Sequence, residues 1–318
     1  MSKDYYDTAV IPNWTEEERL AFLFQKPEKV EKENVPERVV PLQPSIFSPK
    51  TFTEYIGQED AKRLAQIMVL AAKKEKRPLP NILIVGGFGL GKTSLAQVII
   101  REYKGLVTSS DIKDGMTVNK EKPSSGTIII DEIHLLDPAV ADKLNIAIDT
   151  GSLHIIGCTT DPGKLPAAFR SRFRLLTLNS YSVQDLSTIA REICNRKKIT
   201  CSTFVLDYIA YRSRFNARQV TTYLSMMFDI LAIKERNILS QEIADEAFNL
   251  LGVDQFGFLQ RDRDYLKAMP DRPIGLSALS ALIGIDPVTI ESEIEPFLLQ
   301  NGLIDRTPKG RVKLGDIR

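Results

Sequence analysis

The spacing of apolar residues changes character along the chain, and each change marks a boundary. From Ile46 the pattern is that of a folded domain. Residues 59–77 (EDAKRLAQIMVLAAKKEKR) space their apolar positions by three and four, which predicts a helix. Three short apolar runs follow, in NILIVGG (81–87), GTIIIDEIH (126–134) and LHIIGCTT (153–160), with helical stretches between them. Such runs suit strands buried on both faces, so the alternation predicts an α/β domain with a parallel sheet covered on each side. After about Tyr181 the strand signals stop. Residues 183–198, 202–214, 217–237 and 240–252 read as consecutive amphipathic helices. From Phe258, the segments DRDYLKAM, LSALSALIG and PVTIESEIEPFLLQNGL predict three helices, and IDRTPKGRVKL a hairpin, the order of a winged helix-turn-helix. The expected organisation is an N-terminal arm (1–45), an α/β domain (46–180), a small helical domain (181–254) and a winged helix (255–318).

The arm itself carries Trp14, Leu20, Phe22, Leu23 and Phe24, with Thr15 and Glu18 at capping-box spacing, before the charged stretch KPEKVEKENVPER. Its large apolar residues suit a helix that docks on a neighbouring subunit or a protein partner. Composition narrows the class further. The 318 residues include 42 basic and 41 acidic side chains, so any nucleic-acid contact must come from a local patch and not from bulk charge. No apolar run approaches the ~18 residues of a membrane span, and the first residues lack a signal-peptide core, which predicts a cytoplasmic protein. Cys158, Cys194 and Cys201 form no CxxC pair, and with His134 and His154 as the only histidines they exclude structural zinc.

Residues Gly86 to Thr93 (GGFGLGKT) fit the phosphate-loop pattern G-x-x-x-x-G-K-[ST] between a strand and a helix. Gly86, Gly89, Leu90 and Gly91 would wrap backbone N–H groups round the β-phosphate. Lys92 would reach the β- and γ-phosphates, Thr93 would take a magnesium site, and Ser94 would follow at the helix start. Asp131 and Glu132 end an apolar strand whose distance downstream would let it lie beside the phosphate-loop strand. There Asp131 would hold Mg2+ through water and Glu132 would orient and polarise the attacking water. His134 reads as a local hydrogen-bonding residue, since Glu132 already fills the base role. Thr159 and Thr160 end the third strand, near the γ-phosphate if that strand is adjacent. Arg170 and Arg172 flank a serine outside the strands, where an arginine could reach a neighbouring protomer's nucleotide.

The order Tyr55-Ile56-Gly57-Gln58, GxGLGKTSLA (87–96), IDEIH (130–134), GCTT (157–160), SRF (171–173) and EPFLLQNGLIDRTPKGR (295–311) resembles the RuvB family of AAA+ Holliday-junction branch-migration motors. The likeness covers roughly residues 46 to 318. It implies an AAA+ nucleotide-binding domain with a helical lid, an ATP- and Mg2+-dependent ATPase, DNA as the track, and assembly into a hexameric ring. It also implies Thr159 or Thr160 as first sensor, Arg172 as the finger acting in trans with Arg170 as second choice, and Arg218 as second sensor. Tyr181 and Ile56 would lie near the base, and Arg306 and Arg311, with Lys309 between them, would touch DNA. Residues 306 to 313 hold Arg306, Lys309, Arg311 and Lys313 and no acid, although residues 258 to 318 carry nine basic and nine acidic side chains, so the wing is expected to focus positive charge.

Several positions depart from that pattern. Between Asp131 and Thr159 there is room only for a helix and a turn, where the resembled motors insert a partner-binding β-hairpin. The segment between Lys92 and Asp131 is short, Gly87-Phe88 stands where the family has two prolines, and Ser48 and Leu135 replace family arginines. The reading these residues support is an ATP-hydrolysing DNA motor with an altered partner surface. A clamp-loader or initiator-like switch, and a nucleotide-controlled protein scaffold, are the alternatives.

Overall fold

The computed structural model describes residues 48–103 and 126–317. The expected arm helix at Thr15 lies outside them, as does most of the segment between Lys92 and Asp131. The α/β domain opens with α1 (Glu59–Lys74) and β1 (Ile82–Val85), then α2 (Lys92–Tyr103), β2 (Gly126–Ile130), α3 (Pro138–Asp149), β3 (Leu153–Thr159), the short α4 (Ala167–Arg170) and β4 (Arg174–Thr177). All four strands run parallel, in the order β2-β3-β1-β4. The sheet departs from the expected order. The strand carrying Asp131 and Glu132 does not lie beside the phosphate-loop strand, because β3 sits between them, pairing Leu83 with Gly157 on one side and Ile129 with Ile156 on the other. In addition, β4 is a fourth strand that periodicity did not reveal, since only Leu176 of its four residues is buried at this sheet edge.

Alternation along each strand feeds two cores. Ile82 and Ile84, with Ile156 and Cys158, face α1, α2 and the lid. Leu83, Ile128, Ile130 and Ile155 face the opposite layer, with Leu144, Leu165 and Phe169. Asn81 knits strand starts together: its side-chain oxygen accepts from Ile155 N (2.8 Å) and its carbonyl from Arg174 N (2.8 Å).

Every residue from 126 to 160 is described, and none belongs to a hairpin. A 3-10 turn (Ile133–Leu135) and α3 fill the interval, the helix starting at Asp137, whose carboxylate accepts from Ala139 N (2.8 Å). The lid comprises α5 (Val183–Lys197), α6 (Thr203–Arg212), α7 (Ala217–Ile233) and α8 (Gln241–Leu250). It also holds two-residue parallel strands, β5 (Thr200–Cys201) and β6 (Ile238–Leu239), too short to carry a periodic signal.

The winged helix contains α9 (Gln260–Ala268), α10 (Leu276–Ile283) and α11 (Pro287–Thr289), which continues through a π turn (Ile290–Ile294) into α12 (Glu295–Gln300). Pro296 has no N–H to give the Ser292 carbonyl, which favours the wider turn at this place. The wing is β7 (Ile304–Thr307) against β8 (Gly310–Lys313), with Ile274 bridging to Arg311 as a third edge.

Phe169 is fully buried and its ring lies 5.1 Å from that of Phe173, bracketing the arginine turn at residues 170–172. Phe169→Ala should lower unfolding free energy by about 3–5 kcal/mol, read as a shift of the urea midpoint at unchanged slope.

Candidate functional site

A parallel sheet presents all its carboxyl ends along one edge, and the polar residues singled out in the sequence gather there. Gly86 N donates to Thr159 O (3.2 Å), so the phosphate loop leaves β1 still joined to β3. Two glycines in it permit contacts that a side chain would block. At Gly89 (φ +71°) an added Cβ would stand 2.1 Å from Asn216 Oδ1, and at Gly91 (φ +90°) it would stand 2.8 Å from the Tyr55 hydroxyl. The Lys92 ammonium donates to the carbonyls of Gly86 (2.9 Å) and Gly87 (3.0 Å) and lies 3.8 Å from Glu132 Oε1. Burial pulls its pKa down, against the opposing pull of the nearby Glu132 carboxylate. Thr93 Oγ1 donates to Asp131 Oδ2 at 2.8 Å, joining the end of β2 to α2 although β2 and β1 are not neighbours in the sheet.

Glu132 holds a left-handed backbone (φ 45°, ψ 49°), which costs about 1–2 kcal/mol for a residue with a Cβ. Its carboxylate is correspondingly well held. Thr160 donates to Oε2 from both its amide (3.2 Å) and its hydroxyl (3.1 Å), and His134 Nδ1 lies 3.3 Å away. Thr159 is buried and faces elsewhere, with Oγ1 2.9 Å from His134 Nδ1 and accepting from Asp161 N (3.1 Å). Of the two threonines, Thr160 therefore touches the acid and Thr159 touches the histidine. Cys158, one residue earlier, is buried and burial drives its thiol pKa strongly upward, which makes it a packing group and not a nucleophile.

The cleft continues past the loop to Ile56, Tyr181, Ile189, Ala217 and Thr221, an apolar wall suited to a base, with Ser94 and Arg218 also on its lining. Gly86 and the buried Leu90 stand behind the loop and do not line the cleft, nor do Thr159 and Thr160. Gln58 clamps this wall, donating to Asn179 O (2.6 Å) and accepting from Asn179 N (2.9 Å). Tyr55 OH donates to Gly91 O at 3.2 Å, and burial holds its phenol well above the usual pKa.

Asn216 joins the site without belonging to any of the motifs. Its Oδ1 accepts from Arg218 N (2.8 Å), capping α7, while its Nδ2 donates to the phosphate-loop carbonyl of Phe88 (2.9 Å). An asparagine before a helix reads as a cap in any sequence. The link to Phe88, 128 positions away, exists only in the folded chain.

Neither candidate finger lines the cleft of its own chain. Arg172 is tied to Asp149 by Nε (2.8 Å) and Nη2 (2.9 Å), and Arg170 donates to Pro162 O (3.2 Å). At the wing, the expected focus of positive charge is corrected. Arg306 Nε donates to Glu295 (2.6 Å) and Arg311 Nε does so at 2.9 Å, while Arg311 Nη2 reaches Glu291 (2.7 Å). Glu295 is fully buried and also accepts from Tyr265 OH (2.9 Å). Lys313 pairs with Asp316. Among the described residues, Lys309 at the tip has no ion-pair partner. Glu291 and Glu295 come from the π turn and α12 and Asp316 from the segment after β8, all outside the window that looked purely basic.

A phosphate loop, an acid pair at the end of the strand two places away in the same sheet, a lid arginine and a C-terminal winged helix define a P-loop ATPase of the lidded, DNA-processing kind. The chain belongs to the RuvB family: residues 47–178 match the family profile described as Holliday junction DNA helicase RuvB P-loop domain, and residues 255–313 match that of the RuvB C-terminal winged helix domain. The branch migration complex subunit RuvB of Campylobacter lari is 35% identical over 294 residues, covering 83% of this chain and 88% of that protein. The RuvB of Campylobacter jejuni strain 81-176 is 35% identical over 299 residues, with the same coverage. The solved structure of the Thermotoga maritima RuvB branch migration motor superposes with a TM-score of 0.76 at 30% identity, over 85% of this chain and 96% of that one.

The Asn216 link makes a specific prediction. Asn216→Ala should weaken fluorescent-nucleotide binding about fivefold, the worth of one net hydrogen bond of about 1 kcal/mol. Gly89→Ala should weaken it further, and the double variant should lose less than the sum, because removing Asn216 relieves the clash at Gly89.

Proposed function

We propose that this chain assembles into a homo-oligomeric ring, six-membered by its family likeness, that hydrolyses ATP with Mg2+ to drive duplex or branched DNA. The observation that carries this reading is the Glu132 carboxylate, held by Thr160 and His134 3.8 Å from the phosphate-loop ammonium of Lys92. A scaffold that only binds nucleotide has no need for a strained acid in that position.

The residues suit Mg2+. Thr93 and Asp131 present a hydroxyl and a carboxylate 2.8 Å apart at the cleft wall. Among the described residues no group of three or more His, Cys, Asp or Glu could hold a metal alone, so a cation here shares its shell with phosphates and water. When bound, Mg2+ neutralises charge that builds up on the β- and γ-phosphate oxygens. The chain's own groups do the rest. Lys92 turns from the Gly86 and Gly87 carbonyls to the β- and γ-phosphates. Glu132, released from Thr160, aligns a water for attack and draws off its proton. Arg172, supplied by the neighbouring protomer, and Arg218 from the lid stabilise the transferring phosphoryl group.

DNA contact falls to the wing. From Pro273 to Asp305 the winged helix contains no Lys or Arg, while Asp286, Glu291, Glu293 and Glu295 sit on or beside the helix that other helix-turn-helix proteins place in the major groove. Phosphates would repel that helix, leaving Lys309 and the half-exposed Arg306 as the contacts, with Arg311 as their anchor. The missing hairpin removes one route of recruitment, and the apolar arm of residues 1–45 is the segment left to bind a protein partner.

Glu132→Gln should reduce steady-state phosphate release at least about a hundredfold while nucleotide binding persists. In the wild-type chain, linear duplex or a four-way junction should accelerate hydrolysis at low salt; rates indifferent to both would favour the switch or scaffold. Lys309→Ala should lower the log–log salt slope of duplex binding by about one without altering Tm. Arg311→Ala should instead destabilise the fold by about 3 kcal/mol, because the buried Glu295 loses a partner.

A further inference from the structure

Arg214 and Phe215 are consecutive residues with left-handed backbone angles (φ 55° and 53°), immediately before the Asn216 cap of α7. Neither is glycine, so the surroundings must impose the conformation. Those surroundings belong to the winged helix. The Arg214 side chain, 5% exposed, binds both carboxylate oxygens of Asp262, which is fully buried. Its Nη2 also donates to the Glu293 carbonyl in the π turn (2.9 Å), and its guanidinium lies 4.2 Å from the ring centroid of Phe297 on α12. Asp262 in turn accepts from Leu259 N (2.7 Å) at the start of α9. One side chain thus holds three parts of the winged helix at once.

The same short turn meets the nucleotide cleft from the other direction. Phe215 O accepts from Tyr181 N (3.2 Å), Asn216 donates to the phosphate loop, and Arg218 lines the cleft. A bidentate, stacked arginine is planar and has little freedom to slide, and separating a buried ion pair leaves an uncompensated charge. Intermediate arrangements are therefore disfavoured, and the start of α7 and the winged helix are bound to move together.

We infer that Arg214 is the positioning residue that couples the nucleotide cleft to the winged helix. Closure of Asn216 and Arg218 on a nucleotide is carried through the Arg214–Asp262 pair into a displacement of the wing, and DNA on the wing biases the cleft in return. The DNA half of this coupling rests on the proposed motor function; the nucleotide half does not.

The test measures linkage in the full chain. Affinity for a fluorescent duplex is compared with and without magnesium and ATPγS, and ATPγS affinity with and without duplex; the two ratios must agree. The wild-type ratio should be about fivefold or more. In the double variant Arg214→Gln with Asp262→Asn it should fall towards one, while each affinity measured alone stays near wild type, a pattern that general loosening of the fold would not give. A wild-type ratio of one, or an unchanged ratio in the folded variant, overturns the coupling. Hydrogen exchange on the wild-type chain covers the case of a variant that does not fold. ATPγS should slow exchange at residues 259–262 and 290–297 together with 216–218, and protection ending at 218 overturns the inference. A wild-type chain that binds no duplex defeats the motor reading, and the exchange result then decides the coupling by itself.

Discussion

The parallel direction of four strands is the constraint on which the rest depends. Because β1, β2, β3 and β4 share one orientation, the phosphate loop, the Asp131-Glu132 pair, Thr160 and the segment leading to Tyr181 all emerge on one edge of the sheet. Backbone pairing then fixes their relative heights. Val85 is level with Thr159 on one side and Thr177 on the other, and the ladder extends one residue further through Gly86 N to Thr159 O and Leu178 N to Val85 O (2.7 Å). The hydrogen bonds from Thr93 to Asp131 and from Thr160 to Glu132, and the ion pair of Lys92 with Glu132, form because the sheet has already brought their backbones into range.

How far the sequence disclosed this follows from what each signal measures. Periodicity reports burial on a face, so the three strands buried on both sides and the long lid helices were legible, whereas β4, with one buried residue in four, was not. Motif spacing reports local loop geometry, so the phosphate loop and the acid pair could be assigned without knowing the strand order. That order was misread because adjacency in a parallel sheet depends on crossover connections and not on distance along the chain. Contacts such as Asn216 to Phe88 and Arg214 to Asp262 join residues 128 and 48 positions apart, and one chain gives no pattern that pairs them.

The wing shows the same limit for electrostatics. A stretch of eight residues with four cations and no acid looks like a phosphate-binding tip, yet folding sets Glu295 and Glu291 against two of those cations and Asp316 against a third. A fully buried carboxylate is unfavourable without partners, and Glu295 has three: Arg306, Arg311 and Tyr265. The arginines are therefore required by the fold before they are available to DNA. Arg306 remains partly exposed beyond its pair, whereas Arg311, with a side chain only 15% accessible, is committed to the anchor.

This division of labour bears on how force could pass through the molecule. Glu295 begins α12, the helix that follows the π turn, and that turn is also where the Glu293 carbonyl receives Arg214. The wing is thus anchored to the same helix that the lid grips, with no flexible spacer between the two attachments. A displacement of the lid turn would reach the wing through two consecutive buried ionic clusters, each too costly to break and too well packed to deform gradually. Rigid transmission of that kind suits a motor, in which movement at the nucleotide must appear undiminished at the DNA, better than it suits a scaffold that need only be held in place.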